Sequence, residues 1–192
     1  MTSYLDSTVG EFLDAVAARE PAPGGGCVAA VVTAMAAGLV AMAARYSEGR
    51  LGDAADVAGR ADELRAAAGP LADADADAYG AVLAAYALPR ESGSGPGARI
   101  RESLERAAEV PLRIAGVAAE VAELGARLAR EGNPNLVGDA RTAVLLAEAA
   151  ARSAAELVRI DVELGDLDER FTVEARQRAE DAAEAVRRAN TL

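Results

Sequence analysis

Apolar positions recur along this chain at intervals of three and four, and clusters of Gly and Pro cut the pattern into blocks, so the period predicts helices throughout. Thr8-Val-Gly-Glu11 opens the first block as a capping box, and Phe12, Val16 and Ala17 continue an apolar stripe to about Arg19. Pro21-Ala-Pro-Gly-Gly-Gly-Cys27 then makes a turn, followed by an uncharged run from Val28 to Ala44 that ends in the charged segment Arg45–Arg50. A helix from Asp53 to Ala68 carries Val57, Ala61 and Leu64 on its inner side and Arg60, Asp62, Glu63 and Arg65 on its outer side. Gly69-Pro70 stops or kinks it, because proline cannot donate the next helical bond. Leu71 to about Ala87 forms the next helix, Leu88-Pro89-Arg90 ends it, and Glu91–Gly97 is expected to be the most flexible loop. Ala98–Arg130 reads as one long helix bent at Pro111, with Leu104, Ala108, Leu112, Ala115, Ala119, Ala122 and Leu128 facing a core. Beyond Gly132-Asn-Pro-Asn135 come an apolar helix from Asp139 to about Val162 and a charged, amphipathic outer helix from Asp168 to Asn190. With no 20–50 residue repeat and no linker, residues 1–192 form a single-domain, all-α bundle of about six or seven helices.

The run from Cys27 to Ala44 approaches the about 18–20 residues of a membrane span, but it is dominated by Ala and Gly. Ala30, Ala34, Ala37, Gly38 and Ala41 fall at helical spacings that let another backbone approach, which favours burial in a bundle or a dimer interface. At 192 residues the chain is long enough for one real core. Its net charge of −11 argues against a nucleic acid or an anionic membrane as partner. Asp6, Glu11 and Asp14 interrupt the first turns, so no signal segment is read and the expected location is cytoplasmic.

What the composition lacks narrows the chemistry further. There is no His and no Lys, and Cys27 is the single cysteine. A His base, a Lys Schiff base, a Cys/His metal site and a structural disulfide are thereby excluded for this chain. Acid/base work falls to Asp, Glu or Tyr. The triple-glycine turn, able to reach φ > 0 and leading into a helix N-terminus, can present free N–H groups to an anion or polar ring. Equally, it can be a helix connection that needs glycine only for clearance; neither nucleotide-loop pattern is present. Asp73, Asp75 and Asp77 alternate on one helix, which puts Asp75 on the face opposite the other two, together with Tyr79. An Asp among apolar neighbours would have the raised pKa of a general acid; a solvated acidic helix is the plainer alternative. Asn133, Asn135 and Asp139 precede and open a helix, where turn shaping and the helix dipole explain them equally well.

Four segments in order carry a resemblance: Phe12–Val16 with Glu20–Ala30, Asp75–Arg90, Gly132–Asp139, and Ala149–Ile160. Together they resemble the cyclodeaminase/cyclohydrolase family, that is, the C-terminal half of formiminotransferase-cyclodeaminase and its stand-alone bacterial relatives, including methenyltetrahydrofolate cyclohydrolases. The resemblance implies an all-α, dimer-forming domain acting on one-carbon adducts of tetrahydrofolate, with no cofactor beyond that substrate. By resemblance Asp75 takes the place of the catalytic aspartate. Pro23, Gly24, Gly25, Gly26 and Cys27 correspond to the site-forming loop, and Tyr79, Arg90, Asn133, Asn135 and Asp139 to further substrate-binding positions. Cys27 stands for a usual Ser, Arg90 for a usual Lys, Gly138 for a usual Ser and Asp161 for a usual Asn; Arg45 and Arg50 stand where lysines are typical. Arginine keeps charge but not geometry. The resemblance implies cyclisation of 5-formiminotetrahydrofolate with loss of ammonia, or hydrolysis of 5,10-methenyltetrahydrofolate. A folate-binding or scaffolding helical dimer without turnover is the rival reading.

Overall fold

The computed structural model describes residues 3–88 and 95–191. Among them are seven α-helices and no strand: α1 (Val9–Ala17), α2 (Gly25–Arg45), α3 (Ala54–Ala68), α4 (Leu71–Tyr86), α5 (Gly95–Glu131), α6 (Val137–Gly165) and α7 (Arg170–Asn190). Short 3-10 turns at Tyr4–Asp6 and Pro134–Leu136 precede α1 and α6. The all-α expectation holds, with boundaries displaced by a few residues. The loop expected over Glu91–Gly97 lies outside the described residues as far as Ser94, and α5 begins at Gly95; Arg90 is also outside them. α5 runs through Pro111 as one continuous helix.

Alanine decides how these helices meet. α2 is wrapped by α3, α4, α5 and α6, and Ala30, Ala36, Ala37 and Ala44 on it have no exposed surface. Side chains of one methyl group let neighbouring helix axes close to the short end of the usual 8–10 Å range. Large apolar residues fill the places where several helices converge: Leu104, Ile114, Val121 and Leu128 of α5, and Val144 and Val158 of α6, are fully enclosed. The stripe predicted on α5 is the one that faces the core, apart from Leu112, which is half-buried. α7 buries Phe171, Ala175, Ala182, Ala185 and Ala189 and turns its charges outward, as its pattern predicts. On α3, Arg60 leaves the inner face free and pairs outward with Glu63 and Glu120.

The core divides into a main cluster around α2 and a smaller one where Val82, Leu104, Val158 and Phe171 meet. One helix joins neither. α1 begins with the predicted capping box, Glu11 N–H donating to Thr8 Oγ1 at 3.2 Å and Thr8 N–H to Glu11 Oε2 at 2.8 Å. Its apolar residues, however, are barely covered: no residue of α1 is buried, Val9 and Leu13 are 76% and 61% exposed, and Phe12 is half-buried edge-on against the Tyr4 ring. Local capping forms this helix, since tertiary burial does not.

Because the interior is alanine-tight, adding volume should cost more than removing it saves. Ala151→Leu, at a fully buried position on α6, is expected to destabilise the protein by about 1–3 kcal/mol in urea unfolding. Ala149→Leu on the exposed face of α6 should stay within about 0.5 kcal/mol of the parent.

Candidate active site

The Pro/Gly turn is the place where α2 begins. Gly24 is the N-cap, with φ −109° and ψ −160°, and Gly25 and Gly26 form the first helical turn, three residues before Val28 was expected to start it. The positive φ open to these glycines is not used: among the described residues it occurs at Gly49 and Asp166, and of the two readings of the turn the need for clearance is the one observed. Glycine is required for space instead. A Cβ on Gly26 would stand 1.9 Å from Asp75 Oδ1, so Asp75 can occupy its place only against a bare backbone. The N-cap glycine has no side chain to cap α2, which leaves the N–H groups of Gly25 and Gly26 available, while that of Cys27 turns to Asp75.

The three alternating aspartates of α4 separate as the helical geometry predicts. Asp73 is structural, accepting from Ser3 Oγ at 2.5 Å and from the Tyr4 N–H at 2.9 Å. Asp77 is exposed. Asp75 points the other way and is half-buried, where loss of solvent raises its pKa; hydrogen bonds from the Cys27 thiol and backbone N–H partly offset that rise. The Cys27 sulfur lies 3.4 Å from Asp75 Oδ2 and 3.2 Å from the Ala72 carbonyl oxygen. Cys27 has no exposed surface, and burial, reinforced by the Asp75 charge, pushes its thiol up to about 12. It is therefore an S–H donor that orients Asp75, not a nucleophile.

Asp75 opens into a cavity of about 580 Å³ between the start of α2 and helices α4, α5 and α6. It lies where the two core clusters meet: Ala76 belongs to the main one and Val82, Leu104 and Ala107 to the smaller. The walls are apolar, with Pro111 and Leu157 among them, and Tyr79, Leu83 and Tyr86 stand half-exposed along the α4 side. Such walls suit a flat heteroaromatic ligand, with a few polar groups fixing its orientation. Those polar groups are the glycine N–H donors, Asp75, and one carboxylate absent from the expected site, Asp161 of α6. Burial, with the neighbouring Asp75 charge, raises the Asp161 pKa to about 6. A larger groove of about 640 Å³ between α6 and α7 is charged, but its carboxylates are already matched, Glu148 by Arg152 and Glu156 by Arg159.

Of the residues singled out in the sequence, Gly24, Gly25, Gly26, Asp75 and Tyr79 line this cavity. Pro23 and Cys27 are buried behind its wall. Asn133, Asn135 and Asp139 lie elsewhere in the same chain. Asn133 accepts from Asn135 N–H through its own Oδ1, donates its backbone N–H to Ser47 Oγ at 2.9 Å, and donates its Nδ2 to the Tyr46 carbonyl. That anchors the group beyond the C-terminus of α2, whose 21 residues span roughly 30 Å from the end where Asp75 sits. In the sequence Asp161 stood out in two ways, as a departure from the Asn usual in the resembled family and as a lone acid beside Ala154, Leu157, Val158 and Val162 on an otherwise apolar helix face, but neither placed it in the site.

Comparison with known proteins agrees with this architecture. Residues 8–181 match the sequence model of a family described as formiminotransferase-cyclodeaminase. A methenyltetrahydrofolate cyclohydrolase of Methylorubrum extorquens is 38% identical over 181 residues, which is 89% of this chain and 86% of that protein. The rat formimidoyltransferase-cyclodeaminase is 35% identical over 150 residues, 73% of this chain but 28% of that longer protein. The crystal structure of a formiminotetrahydrofolate cyclodeaminase from Thermotoga maritima superposes with a TM-score of 0.85 at 29% identity, over 96% of this chain and 94% of that one.

Both cavity carboxylates have folded-state pKa values above the 3.8 of a free Asp, so the folded protein holds their protons more tightly than the unfolded chain. For Asp161 the burial weighs fully against folding above about pH 6 and is relieved as the pH falls toward 4. Asp161→Asn is therefore expected to melt higher than the parent at pH 7.5, with the difference shrinking toward zero at pH 4. Equal melting temperatures at both pH values would mean that the carboxylate is solvated.

Proposed function

The chain belongs to the formiminotransferase-cyclodeaminase family, and from that premise we propose that it interconverts one-carbon adducts of tetrahydrofolate in the cavity at Asp75. The favoured reaction is hydrolysis of 5,10-methenyltetrahydrofolate to 10-formyltetrahydrofolate, since the relative that matches nearly its whole length carries that name. One observation carries the assignment to this cavity: a half-buried carboxylate, fixed by Gly26 and Cys27, faces an apolar slot edged by tyrosines. The pterin ring lies in that slot, and the Gly24–Gly26 N–H donors meet its polar edge.

Asp75 does the proton work. As water attacks the bridge carbon, the Asp75 carboxylate takes one of its protons, and a group of this kind is worth about 10²–10⁴-fold. Holding carbon and water in register supplies more, up to about 7–11 kcal/mol of the barrier. The reaction changes no oxidation state, so the proposal calls on no cofactor beyond the tetrahydrofolate substrate. The Thermotoga relative supports cyclodeamination as a second reading. There N10 of 5-formiminotetrahydrofolate attacks the formimino carbon, Asp75 takes the N10 proton, and the tetrahedral intermediate expels ammonia with that proton.

The reading extends to a cytoplasmic homodimer. Leu5 of the N-terminal 3-10 turn, Val9 and Leu13 of α1, and Met35, 61% exposed on the apolar helix α2, are the surfaces that a second copy would cover. The Asn133–Asp139 group, remote from Asp75 in its own chain, belongs to the folate site only if a second copy brings it there.

Two measurements test this. Purified protein should accelerate loss of the methenyl absorbance band over a buffer blank, and Asp75→Asn should lower kcat by about 10²–10⁴-fold while still unfolding cooperatively and melting no lower than the parent at neutral pH; a fully active Asp75→Asn removes Asp75 from the mechanism. Leu13→Glu combined with Met35→Glu should convert a dimer to a monomer in light scattering, and a parent protein that is already monomeric refutes the homodimer.

A further inference from the structure

Acidic side chains on α6 are treated in two ways. Glu156 and Glu163 point outward and both pair with Arg159. Asp161, between them in sequence, faces the cavity and makes no ion pair or hydrogen bond among the described residues. A carboxylate set among Leu157, Ile160, Leu164 and Leu104 without a partner is costly, and such costs concentrate where chemistry needs them.

We propose that Asp161 is a second catalytic residue of this site, the acid that protonates N5 of the tetrahydrofolate when the bond between N5 and the hydrated bridge carbon breaks. This rests on the cyclohydrolase reading above. The groups facing Asp161 identify it by comparison. From α4 come Asp75, Tyr79 and Tyr86; from α5 come Leu104, Ala107 and Pro111, all without charge; from the start of α2 come glycine N–H groups, with Cys27 behind them. Tyrosine, with an ordinary pKa of about 10, is a far weaker acid. The Cys27 proton is already directed to Asp75 and the Ala72 carbonyl. Asp75 receives two donors from Cys27 that favour its ionised form, whereas Asp161 receives none. Two carboxylates in one cavity with opposite surroundings divide into a base and an acid.

The protons balance. Water oxygen bonds to the bridge carbon of the methenyl cation, and one water proton goes to ionised Asp75, leaving a neutral carbinolamine. The carbon–N5 bond then breaks, its electron pair goes to N5, and N5 takes the Asp161 proton. The hydroxyl O–H pair becomes the second bond of the formyl carbonyl on N10, and that hydroxyl proton restores Asp161. Asp75 releases its proton to solvent, so cation plus water gives 10-formyltetrahydrofolate and one proton. The active enzyme carries a single proton on the pair, and its rate falls as that proton is lost.

The test is the rate of methenyl loss, corrected for buffer, from pH 5 to 8 for the parent, Asp161→Asn and Asp161→Glu. The parent kcat should fall above about pH 6. Asp161→Asn should lower kcat by about 10²-fold and abolish that fall, with KM changed little, while Asp161→Glu should keep it. Asp161→Asn with the parent's kcat and pH profile overturns the assignment and leaves the cyclohydrolase reading intact. A parent that never exceeds the blank overturns both. If Asp161→Asn does not fold, Asp161→Glu decides alone: a retained fall supports the acid role, and full activity without one overturns it.

Discussion

The contact between Asp75 and the bare backbone of Gly26 is the constraint on which the site depends. With 1.9 Å between Oδ1 and the place a Cβ would take, α4 can approach the N-terminus of α2 this closely only if that position is glycine. The same approach brings the Cys27 thiol and N–H onto the carboxylate and shuts water from one side of it. Asp75 is thus raised in pKa by burial yet still held toward the ionised form by donors. That combination suits a group that must gain and lose a proton in one turnover.

A helix that passes through the middle of a bundle must present small side chains on most of its circumference, and α2 does so with alanine. This explains why a segment with mean hydropathy 2.2 is at home in a protein interior: α3, α4, α5 and α6 provide its apolar surroundings. The absence of bulk on α2 also shifts the larger residues to α5 and α6, so the core separates into two clusters. The cavity is the gap between them. It remains open because Pro111, Leu104 and Leu157 converge from α5 and α6 without a bulky residue on α2 to meet them.

The helices were legible because each is locally consistent, with caps, breaks and a 3.6-residue period agreeing; the Thr8–Glu11 box formed α1 even without a core to receive it. The alternation of Asp73, Asp75 and Asp77 was legible for the same reason, since helical geometry alone separates the three. The role of glycine at the turn was not. A Gly-rich sequence signals permissiveness, and whether this serves positive φ or clearance depends on a side chain 49 residues onward. Asp161 was hidden differently. On α6 it is one acid among several and, against the resembled family, a departure from a usual Asn, but only the convergence of α4 and α6 on one cavity sets it facing Asp75 while Glu156 and Glu163 pair outward. The Asn133–Asp139 group is the reverse case, conspicuous in sequence but hydrogen-bonded to the far end of α2.

A chain without His or Lys has few ways to hold a proton near neutral pH, and this one is confined to carboxylates placed where water is scarce. A lone buried carboxylate can alternate between base and acid, but it must then wait for its proton between steps. A pair with unequal surroundings can hold one proton and one vacancy at once, ready for attack of water and departure of nitrogen. The cost is borne by the fold, since each ionised carboxylate in the cavity weakens folding at neutral pH. An interior otherwise built from tightly packed alanine, with its outward charges matched in pairs such as Arg60–Glu120 and Arg127–Asp53, is the setting in which that cost is tolerated.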